Sequence, residues 1–212
     1  MNYIFFEDKN SAFLSPFSLT HPVFELRCGV FNNLERVIRN INTNDTITLI
    51  VRDELKKTVQ HKYPAYNVNP DKILKGTFIN SACIWDKDLL KIINNGKTYI
   101  NNDIIMATTS EEDINYSNLD LFFDSCSQVS INIEVCYMKY LWDTIYRSHK
   151  QIEIDFSNFS NQKLGKVHSS VIIENDESVY LGESSSIGAG AVIDASNGPI
   201  IISNGAKIDI GA

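Results

Sequence analysis

Apolar positions in the first 160 residues switch between two spacings, and the switches mark the elements. Asn2–Phe6 carries Tyr, Ile and two Phe ahead of the charged turn Glu7-Asp8-Lys9-Asn10 and reads as a strand. Ser11, Ser15, Pro16, Ser18, Thr20 and Pro22 punctuate a loop. Val30, Phe31, Leu34, Val37 and Ile38 then follow the i, i+4, i+7, i+8 pattern of a helix with one buried stripe. Glu35 and Arg39 fall i, i+4 on its polar side. Thr46–Val51, TITLIV, is a continuous β-branched and apolar run, as in a parallel strand covered on both faces. Asp53–His61 predicts a short polar helix with Leu55 and Val59 inward. Strands are predicted near Phe78–Trp85 and Thr98–Ala107. Between them lies a helix over Lys87–Ile93, with Asn94-Asn95-Gly96 as its stop. Ser110–Ser127 is acidic and reads as a solvated connection. A helix over Met138–His149 leads into Ile152–Phe156, with Leu141, Trp142, Ile145 and Tyr146 apolar and Trp142 and Tyr146 read as core. Strands alternating with helices predict an α/β layer fold with a mostly parallel sheet.

The polar stretch Ser157–Lys163 divides the chain into domains 1–160 and 161–212. Beyond it the pattern changes. A six-residue register appears at Leu181, Ile187 and Ile193, then at Ile202 and Ile208. Two positions ahead of each stand Val179, Ser185, Ala191, Ile200 and Ala206, small or β-branched. Asp194–Pro199 absorbs the extra residues as a loop. Such a period predicts a β-helix, in which each hexad makes one flat side of a triangular coil and the aliphatic points to the axis. A Gly-rich sandwich is the competing reading. About five hexads fit before Ala212 and no polar cap follows them, so the chain is expected to continue into further coils.

Composition narrows the functional classes. The 212 residues are 43% hydrophobic and 21% charged, near globular averages, which excludes a disordered or collagen-like chain. The formal net charge of −7 argues against nucleic acid as a partner. No apolar run reaches the ~20 residues of a membrane span. The start turns acidic at Glu7, without the basic and apolar segments of a secretory signal. Cys28, Cys83, Cys126 and Cys136 form no C-x-x-C pair, which suits free thiols in a reducing cytoplasm. The histidines, His21, His61, His149 and His168, are scattered, so a His/Cys metal site is not expected, and His168 reads as structural.

Three stretches carry a family resemblance. Leu14-Ser-Pro-Phe-Ser-Leu-Thr-His-Pro-Val-Phe-Glu-Leu-Arg-Cys-Gly29 is similar to L-x-P-L-T-x-x-R-P-x-x-E-L-R-x-G of a divergent branch of sugar nucleotidyltransferases fused to acyltransferase-type β-helices. Tyr99-Ile-Asn-Asn-Asp103 resembles that branch's V-N-G-R strand end. Val179-Tyr-Leu-Gly182 through Gly190–Pro199 resembles its first coil. The nearest architecture is that of the bifunctional N-acetylglucosamine-1-phosphate uridyltransferase and glucosamine-1-phosphate acetyltransferase. The resemblance implies a Rossmann-like nucleotide-diphospho-sugar transferase domain followed by a left-handed parallel β-helix of hexapeptide repeats. It implies transfer of a nucleotidyl group from UTP or dTTP to a sugar-1-phosphate, with Mg²⁺ and release of pyrophosphate. It also implies a homotrimer through the β-helix. The alternative is a degenerate, non-catalytic front module that scaffolds an acyltransferase β-helix.

The chain departs from the wider superfamily. Phe6–Ser15 holds no Gly and no Arg, so the phosphate-cradling loop is missing and Lys9 is its one cation. The superfamily's Pro-Lys-Pro lysine falls near Val23, and the branch's Arg before Pro is His21. The resemblance puts Arg27 forward as a phosphate-pairing catalytic group; an ion pair with Glu25 or a helix-start contact is the alternative. Ser18 and Thr20 donate to phosphate or cap a helix beginning near Pro22. Glu7 and Asp8, at the end of the first strand, bind ligand or Mg²⁺ or form a solvated turn. Asn101 and Asn102 stand with the substrates, and Asp103 with Asp8 is the expected metal pair.

Overall fold

The computed structural model describes residues 1–93, 96–126, 130–159 and 162–212, so the Asn94-Asn95 part of the expected helix stop lies outside them. Residues 1–27 with 31–145 make one compact unit, and residues 28–30 with 146–212 make another.

The first unit is built on a seven-stranded sheet. Its strands are β1 (Asn2–Phe6), β2 (Thr46–Leu49), β3 (Asn67–Val68), β4 (Gly76–Asn80), β5 (Thr98–Asn101), β6 (Ile104–Ser110) and β7 (Ser130–Asn132). They lie in the order β7-β5-β6-β4-β1-β2-β3. All neighbours are parallel except β6, which runs antiparallel to both β4 and β5. β1 sits at the centre because both of its faces are apolar. Tyr3 and Phe5 enter one core with Leu34, Val37, Leu55, Val59, Leu90 and Ile93; Ile4 and Phe6 enter the other with Phe78 and Leu119. Three helices therefore cover one face: α1 (Asn33–Asn40), α2 (Asp53–Lys62) and α3 (Lys87–Ile93). The opposite face is covered by α4 (Leu119–Cys126).

Several expectations change here. The first helix begins at Asn33, not before Phe31, because Asn32 caps it: its side chain accepts the Glu35 N–H while Glu35 accepts the Asn32 N–H. Glu35 thereby serves the cap, and Arg39 lies 4.2 Å over the Phe31 ring. The single strand expected over Thr98–Ala107 is a hairpin. Asn102 and Asp103 form its tip with φ of 48° and 62°, a left-handed geometry that these two residue types tolerate. The solvated reading of Ser110–Ser127 fails in its second half, where Leu119, Phe122 and Phe123, at i, i+3 and i+4, pack against Phe6 and Phe78. Ser127 lies outside the described residues. The last helix, α5 (Leu141–Phe156), runs through Ile152–Phe156 rather than ending before it. Trp142 and Tyr146 are not core: they are 53% and 80% exposed, while Gln151 and Asp155 are the buried positions of α5. Backbone seating chose that face, since Asp155 Oδ2 accepts the Val30 N–H at 2.9 Å and Gln151 donates to Asp155 Oδ1 at 3.0 Å.

The described part of the second unit contains three ladders of short parallel strands. Lys166–Val167 pairs with Ser186–Ile187, which pairs with Lys207–Ile208. Ile172–Glu174 pairs with Val192–Asp194, and Val179–Leu181 with Ile200–Ile202. Partners lie 20 or 21 positions apart, as with Lys166 and Ser186 or Val179 and Ile200. Val179, Leu181, Ile187, Ala191, Ile193, Ala195 and Ile202 form one buried cluster, with Ile173, Ile200, Ala206 and Ile208 packed against it. The pairing of Leu181 with Ile202 takes in the longer step through Asp194–Pro199.

Candidate functional site

A cleft of about 530 Å³ opens at the carboxyl ends of β1 and β2, the place where open α/β sheets hold their ligands. The chain leaving β1 supplies Glu7, Asp8, Lys9 and Asn10, and the chain leaving β2 supplies Ile50, Val51 and Arg52. The β5–β6 hairpin adds Asp103, Ile104 and Ile105. Tyr116 and the α4 residues Leu119, Asp120, Phe123 and Asp124 complete the wall. Five carboxylates thus face two cations, Lys9 and Arg52, among the described lining residues.

Glu7 is not a loose rim carboxylate; it joins three segments. Its side chain is 4% exposed, and Oε1 accepts the Val23 N–H at 2.7 Å. Its Oε2 accepts the Arg52 N–H at 3.2 Å and pairs with Arg52 Nη1 at 2.8 Å. Burial raises the Glu7 pKa above the ordinary value, against the lowering pull of the Val23 amide and Arg52. Arg52 Nη2 also donates to the carbonyls of Ser18 and His21. The Ser18–Val23 stretch is therefore fixed to the ends of β1 and β2.

Asp8 is the second hub. Its Oδ1 accepts the Asn10 N–H at 2.8 Å, which caps the 3₁₀ helix Lys9–Leu14. Its Oδ2 accepts Asn80 Nδ2 at 2.8 Å and the Tyr137 hydroxyl at 2.9 Å. Asn10 Nδ2 donates to the same hydroxyl at 3.1 Å. Burial, then the neighbouring Asp8 charge, pushes the Tyr137 pKa well up, so this hydroxyl stays a donor. The turn between β1 and the loop is thus hydrogen-bonded rather than solvated.

The structure brings Glu7, Asp8 and Asp103 to one cleft and leaves the other expected site residues off its lining. Arg27 is exposed and pairs with Glu35 Oε2 at 3.2 Å, and it lies in a short strand rather than at a helix start. Ser18 is buried and meets Arg52 through its carbonyl, while Thr20 Oγ1 bonds His21 Nδ1 at 2.9 Å. Phe17–Thr20 is itself one helical turn, so neither caps a helix near Pro22. Asn101 ends β5 and Asn102 forms the hairpin tip. The lining residues that the sequence did not bring forward are Arg52, Asp120, Asp124 and Tyr116. Tyr116 donates to Asp53 Oδ1 at 3.2 Å and accepts from Asn69 Nδ2 at 3.1 Å; burial, then Asp53, lifts its pKa to about 12.

Among the described residues no three His, Cys, Asp or Glu converge as a cage for a metal ion. Mg²⁺ asks for less: one or two carboxylates, with phosphates and water filling the octahedron. Asp8, held in one orientation by three donors, and Asp103, exposed on the hairpin tip, fit that requirement.

A layered sheet carrying a charged cleft at its parallel strand ends defines a ligand-binding α/β domain. The sequence profile of the sugar nucleotidyl transferase family matches residues 3–163, all but the first two residues of this sheet unit and most of the chain. The chain belongs to that family, and its function is sugar nucleotidyltransferase-like. No curated protein matches it. Among the described residues no helix is long and apolar enough to cross a membrane.

Proposed function

We propose that the cleft transfers a nucleotidyl group from UTP or dTTP to a sugar-1-phosphate, with Mg²⁺, in the cytoplasm. The observation that supports this best is the placement of Lys9, Arg52, Asp8 and Asp103 in one cleft of a sugar nucleotidyl transferase domain. A phosphate oxygen of the sugar-1-phosphate attacks the α-phosphorus; the bond to the bridging oxygen breaks and pyrophosphate leaves. The nucleophile is already an anion, so no general base is required, and the protein's work is positioning and charge balance. Lys9 and Arg52 face the phosphates, and Asp8 and Asp103 are the residues to hold Mg²⁺. The ion, when bound, neutralises phosphate charge. Asn101, Asn102, Ser18 and Thr20 remain in the proposal as substrate neighbours, and Arg27 as a phosphate contact reached on ligand binding.

The test incubates the protein with Mg²⁺, a sugar-1-phosphate and each nucleoside triphosphate, and measures pyrophosphate. Release with at least one pair, reduced in Asp103→Asn and Arg27→Ala, is expected. No release with any pair, and no thermal shift with UTP or dTTP, overturns the reading.

For the second unit we infer the opening coils of a left-handed parallel β-helix of acyltransferase type, with homotrimers formed through it. Support comes from the parallel ladders at 20- or 21-residue steps and the single aliphatic core they enclose. One observation favours the alternative of a non-catalytic front module: Asp8 takes up the Asn10 amide just where a phosphate cradle is expected. The pyrophosphate assay decides between the two.

A further inference from the structure

Two of the amides behind β1 are already engaged. Asn10 N–H donates to Asp8 Oδ1 at 2.8 Å, and Ser11 N–H to the Asp8 carbonyl at 3.1 Å. Side chains are therefore the main groups left to meet a polyphosphate seated in this cleft. The two cationic candidates differ in kind. Lys9 is exposed, on a long side chain whose freedom is lost on binding. Arg52 is held: Nη1 pairs with the buried Glu7, and Nη2 donates to the Ser18 and His21 carbonyls. These contacts use three of the five N–H donors of a guanidinium. The side chain stays 28% exposed and lines the cleft. A cation fixed before its ligand arrives loses little entropy on binding it.

We infer that Arg52 is the anion-binding residue of the cleft and takes the pyrophosphoryl end of the nucleoside triphosphate, with Glu7 as its positioning residue. The inference rests on the cleft being the nucleotide site. The motif around Ser18–Val23 is then tied to the phosphate contact through the same guanidinium.

The experiment titrates inorganic tripolyphosphate with Mg²⁺ calorimetrically into the full chain and its Arg52→Lys, Arg52→Gln and Lys9→Gln variants. Arg52→Lys keeps the charge but loses the fork, and is expected to weaken binding about tenfold; Lys9→Gln is expected to weaken it less than that. Far-UV circular dichroism and melting identify a variant that has unfolded. In the wild type, phenylglyoxal labelling read by peptide mass gives an independent answer. Tripolyphosphate is expected to protect Arg52 and to leave Arg147, exposed on α5, reactive. Tripolyphosphate that fails to bind the wild type, or that binds a folded Arg52→Lys variant as tightly as the wild type, overturns the inference. So does Arg52 labelling that ligand leaves unchanged. Binding that needs Arg52 without pyrophosphate release keeps the inference and sinks nucleotidyl transfer; release that survives Arg52→Lys does the reverse.

Discussion

The two compact units bury their apolar residues in different ways. The sheet unit fills its cores with large side chains of unlike shape: Trp85, Phe5, Phe24 and Phe78 are wholly buried. The ladder unit closes on aliphatics and alanine, inward positions recurring at steps of 20 or 21 residues. In the first, packing depends on interlocking shapes, so truncating a large residue leaves a cavity. In the second it depends on repetition, so inward and outward positions should differ sharply while inward ones resemble each other.

The largest expected break is Phe78→Ala. Its ring meets Phe122 at 5.0 Å and Phe123 at 5.7 Å, and a loss of roughly 3–5 kcal/mol is expected in chemical denaturation. Leu181→Ala, 1% exposed at the ladder core, should cost less, about 2–3 kcal/mol, because its neighbours are themselves small. Hydrogen exchange at the Ile200–Ile202 amides reads that loss locally; equal costs at the two sites would erase the contrast.

The next effect is a slope. Burial holds the Glu7 pKa above its ordinary 4.5, so the folded chain binds that proton more tightly than the unfolded chain. The stability it contributes is complete below pH 4.5 and is lost as pH rises through the folded value. The stability of wild type minus that of Glu7→Gln should therefore fall as pH rises above about 4.5; a flat or rising difference contradicts it. The smallest effect is expected at Ile172, which is 54% exposed on a ladder. Ile172→Thr should stay within about 0.5 kcal/mol, and a larger loss would show that this outward position carries packing.

What could be read from the sequence follows the same division. β1, the TITL core of β2 and α3 were legible because each is an apolar run with clear ends. The aliphatic register of the ladder unit was legible because it repeats. α4 was hidden by its acids, which outweigh Leu119, Phe122 and Phe123 in composition but not in packing. The stripe on α5 misled because spacing says which residues share a face, not which face meets a partner. The Pro22–Gly29 motif was recognised, yet several of its residues hold the fold. Glu25 takes Lys62 Nζ at 2.8 Å and the Tyr63 hydroxyl at 2.9 Å. Gly29, at φ +73°, leaves room for Asp155 Oδ2 where a Cβ would come within 2.6 Å. Arg52 carried no local signal, since its surroundings are assembled from Glu7, Ser18 and His21, distant in sequence.

The hydrogen bond from Tyr137 to Asp8 joins positions 129 apart. During synthesis the strands β1, β2 and β4 can pair long before Tyr137 leaves the ribosome, but the Asp8 carboxylate lacks this restraint until it does. A ribosome-bound fragment ending before Tyr137 would thus carry the cleft's outline without the finished setting of its Asp8 carboxylate.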